Sequence, residues 1–216
     1  MDISRQPASK DSSGKGPRAR TRRLMLETAT RLMQAGATPS VSEVAEAAEV
    51  SRATAYRYFP SQAALVQAVV GEGLGPILTW RSASTDAAER VADLIDTSMP
   101  RIEAFEATFK AALKLSLDQW ASRQAGTLGS EPAFVRGHRV ALLEDALSPL
   151  REKLPAPAFA RLAQALSLIF GVEVLIVLKD MWGLDGKDTL SVAQWAARSM
   201  VQAAIAEAGE GHGGTE

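Results

Sequence analysis

An all-α fold is predicted for this chain on three grounds. From Arg20 onward, apolar residues recur at the three- and four-residue spacing of a helix face, and no segment shows the alternation of a strand. Caps and breakers fall between the periodic runs: Gly36 and Pro39, then Ser51, then Pro60 and Ser61. The composition, 46% apolar and 23% charged over 216 residues, is that of a globular chain long enough for one large or two small domains. The pattern divides into polar termini at 1–18 and 209–216, an N-terminal three-helix unit at 19–66 and a larger helical unit at 67–208.

Residues 1–18 are rich in Ser, Gly, Pro and Lys with little to bury, so a disordered arm is expected there. Lys10, Lys15, Arg18, Arg20, Arg22 and Arg23 make it basic, suited either to a phosphate backbone or minor groove or to simple solvation. A first helix is expected near 20–35, with Met25, Leu26, Ala29, Leu32 and Met33 apolar and Gly36 and Pro39 ending it. Residues 40–60, SVSEVAEAAEVSRATAYRYFP, read as two short helices joined by a tight turn. In the first, Val41, Val44, Ala45 and Ala48 recur at i, i+3, i+4 and i+7, and Ser40 with Glu43 spells a capping box. Val50 plugs the turn, Ser51 caps the second helix and Pro60 ends it. A fourth helix, capped by Ser61, runs through Leu65, Val66, Val69 and Val70. Gly71, Gly73, Gly75 and Pro76 then form either a hinge or a plain break before Trp80.

The helix after Ser51 carries Arg52, Thr54, Tyr56, Arg57 and Tyr58 within about two turns. Guanidinium forks, hydroxyls and phenols pair with base edges and phosphates. The helix pair therefore fits a helix-turn-helix whose second helix enters a DNA major groove, and it also fits two helices that merely pack on a core. The setting favours the first. The run TRRLMLETATRLMQAG and then VSEVAEAAEVSRATAYRYFPSQAAL resembles the DNA-binding domain of the tetracycline-repressor (TetR) family over roughly residues 20–70. Matching positions include Arg22, Met25, Leu26, Ala29, Gly36, Val41, Val44, Ala45, Val50, Ser51, Thr54, Tyr56, Phe59, Pro60 and Leu65. The resemblance implies DNA contacts from Arg22, Ser40, Ser51, Arg52, Thr54, Tyr56, Arg57, Tyr58 and Gln62, with Arg52 reading guanine and Thr54, Tyr56 and Tyr58 holding phosphates. Three positions depart from the family pattern. Glu49 stands where a turn glycine is usual, Tyr58 where a histidine is common, and Gln62 where a phosphate-binding lysine is common.

In the larger unit, helices are expected near 86–98, 101–120, 136–153, 158–182 and 189–207, with a polar loop at 122–133. The 158–182 segment is apolar nearly all round and should be buried on several sides. The last helix carries a small-residue stripe that fits a monomer core. The resemblance implies instead that the last two helices form a four-helix homodimer interface, with Leu175, Leu178, Trp195, Met200 and Ala203 as contacts. Trp80, Met99, Phe105, Phe109, Trp120, Phe134 and Phe170 either pack a core or, as the resemblance implies, enclose a small effector. Glu173 is an isolated carboxylate in an apolar run, so it should meet Arg101 or Arg139, a partner subunit or a ligand.

Charge is uneven. Residues 1–60 hold ten Lys or Arg against six Asp or Glu, a net of +4, while the rest holds fourteen against nineteen, a net of −5, giving −1 overall. Positive charge gathers where DNA contact is expected. No cysteine is present, which excludes disulfides and thiolate chemistry. The N-terminus shows no apolar leader, and the run Ala165–Leu178 is interrupted by Glu173 and too short to span a bilayer, so a cytoplasmic protein without a membrane partner is expected. The only histidines are His138 and His212, and neither a phosphate loop nor a metal-ligand spacing occurs, so no enzyme activity, cofactor or metal is expected. The expected function is regulation of transcription by a homodimer on a double-stranded, pseudo-palindromic DNA operator, as a repressor released by an unidentified small molecule. A helical dimerisation scaffold that never touches DNA and a ligand-independent regulator are the alternatives.

Overall fold

The computed structural model describes residues 16–210, so most of the expected arm and C-terminal tail lies outside the described residues, while Arg18, Arg20, Arg22 and Arg23 stand in the first helix. Every regular element within them is helical. Helix α1 spans Pro17–Gln34 and starts before the apolar pattern does. Proline at the first helical position sacrifices no hydrogen bond and presets φ. Helices α2 (Val41–Ala47), α3 (Arg52–Tyr58) and α4 (Gln62–Leu74) follow. Each begins at a serine. The Ser40 Oγ accepts from the Glu43 N–H at 3.2 Å while the Ser40 N–H donates to the Glu43 carboxylate at 2.7 Å. Ser51 and Ser61 likewise accept from Thr54 N–H and Ala64 N–H, at 3.3 and 3.1 Å. Met25, Leu26, Met33, Val41, Val44, Ala55, Leu65 and Val66 are buried at the centre of this unit.

Between α2 and α3, Glu49 is the one described non-glycine residue with positive φ, at +53°. A left-handed conformation costs a residue with a Cβ about 1 kcal/mol or more. Glu49→Gly should therefore raise the stability by about 0.5–1 kcal/mol, after the extra backbone entropy of glycine is subtracted. The midpoint of denaturant unfolding measures this, and a lowered midpoint contradicts it.

Beyond α4, a 3₁₀ turn at Gly75–Thr79 leads to α5 (Ala87–Ala104), α6 (Glu106–Gln124), α7 (His138–Ala146), α8 (Ala156–Leu166), the short α9 (Val172–Leu175) and the long α10 (Gly186–Glu210). Helix α10 lies along α5 and against α8; α6 packs on α1 and α4, and α4 also touches α5. The two units are thus joined through α4 and α6.

Two sequence expectations fail here. Helix α5 does not stop at residue 98 but runs through Pro100 to Ala104. The proline sits on the exposed face, and buried Met99 and Ile102 on either side hold the helix together. The single helix expected over 158–182 is broken. Residues 167–171 turn, with Gly171 at φ +123°, and α9 then passes into a π-helix at Ile176–Met181. The φ of +123° favours glycine, and a Cβ there would lie 2.8 Å from the Arg139 guanidinium and push it aside. The segment is also not buried all round: Leu168, Met181 and Trp182 are more than 70% exposed.

The π-helix carries Lys179 and Asp180 onto α5 and α6. Lys179 donates to Glu103 and Glu106 at 2.7 and 2.9 Å, and Lys110 bonds both Glu106 and Asp180 at 2.7 Å. Burial pushes the Glu106 carboxyl up, but hydrogen bonds from Lys110 and Lys179 outweigh it and hold the group below its ordinary 4.5. Hydrogen bonds from Glu103 and Glu106 raise Lys179 above its ordinary 10.5. A depressed carboxyl stabilises fully above its unfolded pKa and loses that contribution as pH falls through the folded one. A raised lysine stabilises fully below its unfolded pKa and loses it as pH rises through the folded one. The network should therefore contribute constantly between those ordinary values and fade in acid. Thermal melts of the wild type and Glu106→Gln should differ at neutral pH and converge below the ordinary carboxylate range; an unchanged gap in acid contradicts this.

Candidate functional site

Helix α3 presents one outward face. Ser51, Arg52, Ala53, Tyr56 and Arg57 are exposed, whereas Ala55 and Phe59 anchor the opposite face in the core. The cap at Ser51 also donates from its hydroxyl to Thr54 Oγ1 at 3.0 Å, which fixes the first turn. The Tyr56 hydroxyl lies 3.3 Å from Ser42 Oγ and ties α3 to α2. Arg57 stacks over the Tyr58 ring at 5.5 Å, and Arg22 of α1 over the Phe59 ring at 5.5 Å. Arg52, in the first turn, is exposed, and its side chain makes no hydrogen bond or ion pair among the described residues.

Three expected contacts are placed differently. Gln62 does not face outward: its side-chain amide donates to the Thr38 and Pro39 carbonyls at 2.9 and 3.1 Å, fastening the loop between α1 and α2. Ser40 spends both its hydroxyl and its N–H on the capping box. Tyr58 is half-buried against the core. Ala53, which periodicity did not single out, stands on the outward face beside Arg52. A methyl group there suits the C5-methyl of thymine.

A second site lies where the two units meet. A cavity of about 100 Å³ is bounded by Val70 and Leu74 of α4, Ile77, Ile102, Phe109, Phe134, Leu142 and Phe170. Arg136, His138 and Arg139 stand at its polar side. Of the expected pocket aromatics, Phe109, Phe134 and Phe170 line it. Trp80 and Met99 are buried elsewhere in the core, the Trp80 indole N–H donating to Asp93 at 2.9 Å. Phe105 lies under the Arg101 guanidinium instead. Trp120 is 58% exposed on α6, so it does not enclose a cavity at all. Glu173 bonds both Arg136 and Arg139, the latter at 2.5 Å. Burial raises this carboxyl, and the two guanidiniums, Arg139 foremost, outweigh it and lower it below 4.5. Arg101, considered above as its partner, is engaged at the end of α4: its Nε donates to the Gly73 carbonyl at 2.6 Å and its Nη2 to the Glu72 carbonyl at 2.9 Å.

Residues 25–69 match the family described as bacterial regulatory proteins, tetR family. The match covers the N-terminal unit, from within α1 to within α4. The solved structure of a TetR transcriptional regulator from Rhodococcus sp. RHA1 is similar over 86% of this chain and 97% of its own, at 20% identity and a TM-score of 0.53. That likeness shows that the tetR-type fold extends through the second helical unit. No curated protein matches the chain. No helix of the described residues is long and apolar enough to cross a membrane.

Several large apolar side chains on the last elements are exposed. Trp195 is 70% exposed, Trp182 73%, Met181 74% and Ile205 46%. Ala203 is exposed and Leu178 and Met200 are half-buried on the same elements. Leu175, expected with them, is 1% exposed and belongs to the monomer core, so it has no surface to offer a partner.

Proposed function

We propose that the chain acts as a homodimeric repressor that reads a pseudo-palindromic operator through α3 and releases it when a small molecule enters the cavity beneath α4. The observation that carries the reading is the outward face of α3. Arg52, Ala53, Tyr56 and Arg57 are exposed on a helix whose other face is buried and whose start is capped. Such a helix holds its outward side chains in fixed register toward a groove. Arg52 is the base reader, as a bidentate donor to guanine, while Arg57, Tyr56 and Arg22 follow phosphates.

One helix-turn-helix reads too few base pairs for specificity, and a two-fold pair doubles the site. The exposed Trp182 and Trp195 support that pairing. Val70 and Leu74 of α4 line the cavity, so an occupant there bears directly on the helix that carries α3. It releases DNA only to the extent that it binds the released state more tightly.

Fluorescence anisotropy tests the reading, with the purified protein titrated onto its own upstream intergenic DNA and onto a scrambled duplex across a salt series. Tight, competition-resistant binding of two subunits that weakens with salt is expected. Equal binding to both duplexes and to pools selected from random sequence refutes it. Arg52→Ala should cost about 1–3 kcal/mol of operator binding and relax one base position. Uniform weakening across all operator variants would make Arg52 a phosphate contact instead.

A further inference from the structure

The polar side of the cavity carries two guanidiniums and an imidazole. Arg136, His138 and Arg139 line it, and no acidic side chain does. Glu173 stands behind the two arginines and is the one carboxylate paired with them among the described residues. Two guanidiniums against one carboxylate leave one positive charge at the mouth of an otherwise apolar space. Arg139 is additionally fixed, its Nη1 donating to the Ser167 carbonyl at 2.9 Å and its fork lying against Gly171. Arg136 comes from the stretch just before α7 and is exposed. A partly desolvated, unmatched guanidinium pair is an unfavourable arrangement that an arriving anion relieves.

We infer that the ligand of this cavity is a small apolar monocarboxylate, whose body fills the space among Leu74, Ile102, Phe109, Phe134, Leu142 and Phe170 and whose carboxylate joins Glu173 on Arg136 and Arg139. The inference rests on the reading of this cavity as the effector site. Size sets the body. An apolar cavity of about 150 Å³ accepts benzene, and this one measures about 100 Å³ and is open on one side. A single ring or a chain of about six carbons fits, with the head group reaching the arginines. The single uncompensated charge selects a monoanion over a phosphate dianion, and the same positive charge disfavours cationic amines. Glu173 acts as a built-in competitor that keeps the arginines ordered in the empty site and limits affinity for any carboxylate.

Calorimetric titration of the full chain tests this with benzoate, hexanoate, benzamide, hexanamide, benzylamine and phenyl phosphate. Each carboxylate should bind at least about tenfold more tightly than its amide, a difference typical of one charge-assisted hydrogen-bonded pair. Benzylamine should not bind. Arg136→Gln should cut the preference of benzoate over benzamide several-fold, the charge-assisted bond weakening more than the neutral one. Glu173→Gln should tighten benzoate; a thermal melt accompanies both variants. Equal affinity of acid and amide, tighter binding of phenyl phosphate, a preference untouched by Arg136→Gln, or no carboxylate binding at millimolar concentration each overturns the inference. The regulatory reading fails separately. Benzoate selectivity in a protein that shows no operator preference by anisotropy would leave the ligand class standing and remove the repressor.

Discussion

Trp195→Glu should convert the protein to monomers and weaken operator binding by about a hundredfold or more. The indole is 70% exposed on α10, which also exposes Val192 at 39% and Ile205 at 46%, and Trp182 just before the helix is 73% exposed. Burying a tryptophan removes roughly 150–250 Å² from water, which at about 25 cal/mol per Å² is worth some 4–6 kcal/mol before costs. An isologous interface buries it twice. The glutamate loses that burial and places two like charges near one axis. The monomer should be unharmed, because the side chain touches water in the single chain. Sedimentation equilibrium and anisotropy on the operator measure the two effects. A variant that remains dimeric with unchanged affinity would place the subunit contact elsewhere. A variant that is monomeric yet binds normally would remove dimerisation from the mechanism.

Arg101→Ala carries the second large effect, on stability. The guanidinium reaches from α5 to the last turn of α4, donating to the Gly73 and Glu72 carbonyls at 2.6 and 2.9 Å and lying 4.9 Å above the Phe105 ring centre. Those carbonyls have no intrahelical partner and carry the negative end of the helix dipole. Hydrogen bonds to a charged donor contribute about 1.5–3 kcal/mol each. With the half-exposure of the site discounted, the loss should be about 2–4 kcal/mol by denaturant unfolding. Arg101→Lys keeps the charge but not the fork, and should recover less than half of it. A cost below about 1 kcal/mol would mean that α4 is held by its apolar packing alone. The same contact explains Gly75. Its φ of +42° favours glycine, and a Cβ there would lie 2.7 Å from the guanidinium and displace the clamp.

The N-terminal unit was legible because its signals are local. Ser40, Ser51 and Ser61 each sit one residue before the helix that they cap, and Val41, Val44 and Ala45 repeat at the helix period. The departure at Glu49 was legible too, since only the turn geometry shared with the resembling family demands a left-handed residue there. The second unit was read less well, for physical reasons. Helical periodicity continues across 158–182, and nothing in the local pattern shows that Arg139, distant in sequence, occupies the space beside Gly171. Pro100 looks like a stop signal, yet tertiary packing at Met99 and Ile102 overrides it. Phe109, Phe134 and Phe170 line the cavity and Trp120 does not, a division that aromatic character alone could not make, because which face of α6 turns inward depends on α1 and α4. Gln62 was read by analogy with a lysine, while its amide is the right length to reach two loop carbonyls.

Helix α4 belongs to both hydrophobic interiors at once. Leu65 and Val66 complete the packing of α1 to α3, and Val70 and Leu74, a turn or two further on, line the cavity of the second unit. Swapping the DNA reader of one such regulator onto the sensor of another is therefore a question of where α4 is cut. A junction within it must match the apolar faces of two parents, whereas a junction at Gly75 carries the whole helix with the reader and leaves only the carbonyl ends for the new sensor to grip. Chimeras built at that glycine would inherit specificity from one parent and would need an arginine at the position of Arg101 from the other.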